Sequence, residues 1–295
     1  MTERVVALVG EGLVDPDAPL LRADDLGVLR GDGVFETVLV VDGMALELEA
    51  HLARLARSAA MLELPAPDPA AWRSCAQTVI DAWDGEREMM LRLILTRGPE
   101  TCVQGRGIGP EGRAGATGYA MGAPVSPTLL AQRRDGVAAV TLTRGTAPDL
   151  AGQAPWLLLG AKTVSYAMNM AALRQAERLG AHDVIFTAAD GSVLEGPTST
   201  IVTAQGETLC TPPAELGILP GTTQTALFRA AEAAGWRTRT EQLQVADLLT
   251  ARGVWLCSSV RLITRVHTLD GHPLPDTGLT ATLRGLLPLP AMTGS

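Results

Sequence analysis

Short β-branched runs closed by Asp-Gly or Gly turns recur along this chain, and they narrow the possible folds more than any other feature. VFETVLVVDG (34–43) ends in Asp42-Gly43 and is followed by MALEL. Asp-Gly suits a tight hairpin because the turn needs positive φ, which these residues tolerate. HDVIFTAADGSVLEG (182–196) repeats the pattern around Asp190-Gly191, and STIVTAQGETLCTPP reads as two strands joined at Gly206. Further strand-like apolar runs lie at 5–9, 88–98, 118–123, 136–143 and across 253–271.

Helical spacing interrupts these runs. Leu52, Leu55, Ala59 and Leu62 recur at helical spacing, so 49–62 predicts an amphipathic helix with Arg54 and Arg57 near its middle. Residues 69–83 predict a second helix, 157–180 a short approach and a long helix ending at Gly180, and 221–236 a helix opened by Gly221, Thr222 and Thr223. The first half reads as α/β, the second as strand-rich with inserted helices, and the whole chain as α+β. Residues 98–127 are Gly-rich with few large apolar side chains, which predicts an interdomain loop. The boundary placed there gives an N-terminal domain of 1–124 and a C-terminal domain of 125–295.

With 295 residues and 46% hydrophobic content the chain supports a sizeable core. A net charge of -8 argues against a nucleic-acid or anionic-membrane partner. No apolar run reaches the ~18 residues of a membrane span, and the N-terminal run is too short for a signal peptide. Cys75, Cys102, Cys210 and Cys257 are scattered, which suits a reducing cytoplasm rather than a disulfide framework or structural zinc. His51, His182, His267 and His272 form no metal-binding spacing, so no metal is expected.

Among 24 Lys plus Arg residues there is one lysine, Lys162. Arginine stays protonated and cannot serve as an amine nucleophile, whereas a desolvated lysine can lose its proton and condense with a carbonyl. Lys162 follows the apolar run Trp156–Leu159 and precedes a predicted helix, a partly buried setting in which a lysine is costly without a task. Gly221-Thr222-Thr223 before a helix forms either a phosphate cradle of backbone N–H groups or an ordinary threonine N-cap. Glu195, before Gly196-Pro197-Thr198-Ser199-Thr200, suits either a pyridinium partner or a solvated loop, and Arg54 reads locally as a solvated helix face.

Five segments, in order, carry a family resemblance: RGDGVFET (30–37), HLARLARSA (51–59), AKTVSYAMN (161–169), VLEGPTST (193–200) and GILPGTTQTAL (217–227). The chain resembles the class IV aminotransferases, the fold-type IV pyridoxal-phosphate (PLP) enzymes, over nearly its whole length. That resemblance implies a small N-terminal α/β domain and a larger C-terminal pseudo-barrel domain with PLP between them, the lysine lying in the C-terminal domain. It implies that Lys162 is the Schiff-base lysine, that Glu195 bonds the pyridine nitrogen, and that Arg54, Thr222, Thr223 and Ser259 hold the phosphate. Ser199 and Thr200 then line the cofactor, although many members carry Asn where Thr200 stands. Tyr166 lies four residues after Lys162, not five as in branched-chain enzymes, where Ala167 stands here.

KTVSYAMNMAALRQAERLGAHDVIF with VHTLDG is most similar to the family's aminodeoxychorismate lyases. The activity implied is release of pyruvate from 4-amino-4-deoxychorismate to give 4-aminobenzoate, a step toward folate. The alternative is an aminotransferase acting on D-amino acids, branched-chain amino acids or (R)-amines. A dicarboxylate substrate needs cations, for which Arg30, Arg92, Arg97, Arg106 and Arg261 are candidates, with Arg106 in a stretch readable as a lid. The family implies a homodimer.

Overall fold

The computed structural model describes residues 4–102 and 115–287. They form two compact units, the first drawn from the described residues of 1–125 with 161–166 and the second from 126–160 with 167–287. The principal break falls at Val125/Ser126. The lysine segment, assigned to the second half on sequence grounds, groups with the first unit.

The first unit is built on a six-stranded sheet in the order Gly12–Val14, Val5–Leu8, Thr117–Pro124, Glu88–Thr96, Gly33–Val41, Met44–Ala45. Every neighbouring pair is antiparallel. The strand read at 118–123 is Thr117–Pro124, which pairs with Glu88–Thr96 along its full length, so the 98–127 loop reading does not extend over its last residues. Helix Leu48–Met61 lies against strand Gly33–Val41, and helix Pro69–Asp81 against Val5–Leu8 and Thr117–Pro124. Their apolar stripes, Leu52, Leu55 and Ala59 on one and Trp72, Cys75, Ala76 and Val79 on the other, are buried as the helical spacing requires.

The second unit holds an eight-stranded mixed sheet in the order Arg237–Thr240, Thr208–Thr211, Thr200–Gln205, Gly253–Ser258, Leu262–Leu269, Val137–Thr143, Asp183–Thr187, with His272–Pro273 paired to Leu262–Leu269. Backbone bonds link its two edges. Leu194 N–H donates to Phe186, Val193 N–H to Leu243, and Glu241 N–H to Thr211. This return path is what a pseudo-barrel requires. Alternation sorts the side chains: Val137, Ala139, Ile185 and Val193 enter one core, while Val184, Phe186 and Leu194 pack with Ala172 and Ala176 of helix Ala167–Arg178 in another. The chain turns out of that helix at Gly180, whose φ of 76° only glycine adopts cheaply.

Candidate active site

In the first unit the site grows from strand Gly33–Val41 and helix Leu48–Met61. Strand alternation aims Glu36 at the helix, where His51, Arg54 and Ser58 share one stripe at i, i+3 and i+7. Glu36 is fully buried; it accepts from Arg54 Nε at 2.7 Å, from Arg54 Nη2 at 2.8 Å and from His51 Nδ1 at 2.7 Å. Burial alone raises the Glu36 pKa, but the hydrogen bonds and charge of Arg54, with His51, outweigh it and hold the carboxyl at about 2. Burial pushes the His51 pKa down against the pull of Glu36, and its Nδ1 faces the carboxylate. Arg54 is thus neither solvated nor exposed, as its local sequence suggested, but 5% exposed inside an ion pair.

The lysine segment runs antiparallel beside the start of the same strand, with a bridge between Val34 and Thr163. Phe35 N–H donates to the Lys162 carbonyl at 3.0 Å and Val164 N–H to Gly33 at 2.9 Å. From the other side, Lys162 N–H donates to Ser58 Oγ at 3.1 Å. The lysine backbone is tied to both strand and helix. Its Nζ lies 4.4 Å from the Phe35 ring centre and 5.7 Å from that of Tyr166, and the two rings meet edge to face at 5.2 Å. These aromatics half-bury the amine. The apolar run credited with doing so does not: Trp156 is 73% exposed and Leu157 47%. The glycines of RGDG follow from the same geometry. Gly31 has φ 67°, and a Cβ there would strike Ser165 Oγ, while a Cβ at Gly33 would meet the Leu95 carbonyl at 2.8 Å.

In the second unit Glu195 lies on the segment returning from Asp190-Gly191, where its carbonyl accepts from Phe186 N–H. It accepts from Arg144 Nη2 at 2.8 Å and from Leu219 N–H at 3.0 Å, and Arg144 lies 5.1 Å over the Phe186 ring. Helix Thr222–Ala233 begins with buried Thr222 and Thr223, and its N-cap is Gly221, which has no side chain to cap the first turn. The threonine N-cap reading therefore does not hold, and the helix start has the positive end that favours an anion. A Cβ on Gly221 would collide with Thr200 Oγ1. Ser199 is 8% exposed and its Oγ is a buried hydroxyl with no hydrogen-bond partner. Ser259 is half-buried in the turn between strands Gly253–Ser258 and Leu262–Leu269.

The candidate substrate arginines are engaged to different degrees. Arg97 bonds Asp32 at 2.6 Å together with the carbonyls of Leu62 and Glu63. Arg261 is 4% exposed and pairs with buried Asp183 at 2.7 Å. Arg30 pairs with Glu100 but stays 65% exposed. Arg92 lies on strand Glu88–Thr96 opposite Thr37. Arg106 and the centre of the proposed lid lie outside the described residues. No group of His, Cys, Asp and Glu suited to a metal, and no helix long and apolar enough to cross a membrane, occurs among the described residues.

Sequence reasoning missed Glu36, His51, Ser58, Phe35 and Arg144. Glu36 carried a signal: a carboxylate in phase with Val34, Val38 and Val40 on an otherwise apolar strand face. Arg144, at the end of VTLTRG, carried none. The first unit offers an amine among aromatics; the second, by itself, offers a carboxylate held by arginine, a helix start beside a glycine that admits no Cβ, and a buried serine hydroxyl without a partner. The amine suits an aldehyde, and the second unit's groups suit a pyridine nitrogen and a phosphate; these are the groups that PLP carries.

Comparison with known proteins agrees. The model of amino-transferase class IV matches residues 33–269. The chain is 48% identical to the bifunctional aminodeoxychorismate lyase / D-amino acid transaminase of Mycobacterium tuberculosis, over 96% of this chain and 97% of that one. Among solved structures, the PLP-bound form of a hypothetical aminotransferase from M. tuberculosis superposes with a TM-score of 0.89 at 47% identity over 96% of both chains. A fold IV-transaminase from Curtobacterium pusillum does so with 0.88 at 41% identity over 97% and 100%. With the family model covering most of its length, this chain belongs to the class IV aminotransferases and is a PLP-dependent enzyme of fold-type IV.

Proposed function

We propose that the chain is an aminodeoxychorismate lyase, releasing pyruvate from 4-amino-4-deoxychorismate to leave 4-aminobenzoate. The observation that carries this reading is the 48% identity, end to end, with an enzyme whose name includes that activity. The same relative's second activity favours a second reading, D-amino acid transamination at the same site.

When bound, PLP supplies an electron sink for negative charge at the substrate's amine-bearing carbon. Lys162 Nζ is the amine that would hold the cofactor aldehyde, and it would serve as the base at the substrate's ring carbon and then as the proton donor. Phe35 and Tyr166 keep water from Nζ, and Ser58 and the Phe35 amide fix the lysine backbone. Glu195, held by Arg144 and the Leu219 amide, keeps a proton on the pyridine nitrogen. Arg54, Thr222, Thr223, the Thr222–Ala233 helix start and Ser259 hold the phosphate, and Ser199 and Thr200 line the ring. Arg30 is the preferred ligand for a substrate carboxylate: its guanidinium is exposed, a surface pair such as Arg30–Glu100 is weak, and its neighbour Gly31 touches Ser165, three residues after Lys162. The working form is a homodimer in a reducing cytoplasm, supported by free Cys75, Cys210 and Cys257 and by exposed Val28 and Leu29.

The test is to incubate holoenzyme with aminodeoxychorismate and follow 4-aminobenzoate and pyruvate, and in parallel to add D-alanine with 2-oxoglutarate. Robust transamination without 4-aminobenzoate removes the lyase reading.

A further inference from the structure

We propose that Glu36 is a positioning residue for the cofactor phosphate, acting through Arg54; this rests on the reading that Arg54 is a phosphate ligand. Glu36 takes two of the three guanidinium nitrogens, Nε and Nη2, in a bidentate fork, and that fixes the plane of the third. His51 occupies a further lone pair of Glu36 and keeps the carboxylate from rotating. All three residues are at most 5% exposed, so each is held by packing as well as by charge. The cluster lies close to the lysine: Ser58, one helical turn beyond Arg54 on the same stripe, binds the Lys162 amide.

Two effects of Glu36 on an incoming phosphate oppose each other. Its negative charge repels the phosphate and cancels the charge of Arg54, while its fork removes the rotational freedom that a long, flexible side chain would otherwise lose on binding. Arg54 is a buried side chain reached from a fixed helix, so orientation outweighs the uniform charge term. The two effects give opposite signs on neutralisation. If charge dominated, Glu36→Gln would tighten phosphate binding; positioning predicts that it weakens.

The readout is cofactor selectivity. Apo full-length enzyme is titrated with PLP and with pyridoxal, which lacks the phosphate, following the visible absorbance of the bound cofactor. Glu36→Gln is expected to weaken PLP about tenfold or more and leave pyridoxal within about threefold. Glu36→Asp keeps the charge but is too short for the fork, and it is expected to lose selectivity in the same direction; it also serves if the Gln variant does not fold. A purely structural role would weaken both ligands alike, and that result, or unchanged or increased selectivity for PLP, overturns the proposal. Arg54→Lys separates the two layers. Selectivity lost in Arg54→Lys but kept in both Glu36 variants refutes the positioning role alone; selectivity kept in all three refutes the phosphate reading of Arg54 as well.

Discussion

Ser58→Ala is the most direct probe of how the lysine is held. Ser58 is 2% exposed, and its Oγ accepts the Lys162 N–H at 3.1 Å. Removing the oxygen leaves a backbone donor without its acceptor in a shielded position, which costs about 1–3 kcal/mol. Alanine in place of serine in a helix interior returns a few tenths of a kcal/mol or about 0.5. The net loss is therefore on the order of 1–2 kcal/mol. The segment keeps its bonds from Phe35 and Val164 to the strand, so the fold survives while the lysine loses its tie to the helix. A displacement of about 1 Å at a reacting group costs up to ~100-fold in rate. Urea unfolding of the holoenzyme should show the stability loss, and pyruvate release coupled to lactate dehydrogenase should show kcat down about 10–100-fold with KM little changed. Turnover and stability both within about 0.5 kcal/mol of wild type would refute the argument that Ser58 fixes Lys162.

Lys162→Ala should abolish the visible absorbance of the bound cofactor and both activities, checked by spectrum and product assay. Gly221→Ala places a methyl against Thr200 and should lower PLP affinity about tenfold with little change for pyridoxal, measured by titration. Glu36 supplies the acid limb of stability. Its carboxyl sits at about 2, against 4.5 for the unpaired group, so its stabilisation is present above pH 4.5 and is lost as pH falls toward 2. The full span is on the order of 3 kcal/mol. Urea midpoints between pH 6 and pH 3 should fall more steeply for wild type than for Glu36→Gln, and equal slopes would sink that assignment. Arg144→Met removes a partner of Glu195 and should weaken PLP and pyridoxal together, since both carry the pyridine ring, which paired titrations would check.

The sequence made legible what short-range periodicity and turn chemistry control. Leu48–Met61, Pro69–Asp81 and Thr222–Ala233 form where helical spacing put them, and the Asp42-Gly43 and Asp190-Gly191 turns reverse the chain as expected. Short helices such as Pro127–Asp135, Val245–Thr250 and Leu279–Leu286 escaped because eight or nine residues, or fewer, give a weak period. Lys162, Glu195 and the helix start at Thr222 were visible because motif order marks them. Their partners were not: Glu36 with Arg54 and Arg144 with Glu195 are separated by 18 and 51 residues, and pairing at that range is a property of strand register. The partly buried setting of Lys162 was read correctly, but not the source of its shielding, for the same reason. Its neighbours in sequence, Trp156 and Leu157, are exposed, and its shielding comes from Phe35, far back in the chain.

This last point bears on why the lysine proposed to hold the cofactor stands on six residues that group with the first unit, although the chain on either side of them belongs to the second. A lysine that must be presented repeatedly in one place is best carried by backbone whose hydrogen bonds are already committed. The 161–166 segment meets that need by pairing with the end of strand Gly33–Val41, which is itself fixed along nine residues by Glu88–Thr96. Glycine at 31 and 33 allows the close approach, and Ser58 closes the third side. The same strand sends Glu36 to one face and Phe35 to the other. Alternation by one residue thus sets both the arginine proposed for the phosphate and the aromatic wall beside the amine. A one-residue slip in this register would exchange the two faces and remove both together. The RGDGVFET motif therefore behaves as one unit, in which glycine spacing and strand phase constrain each other.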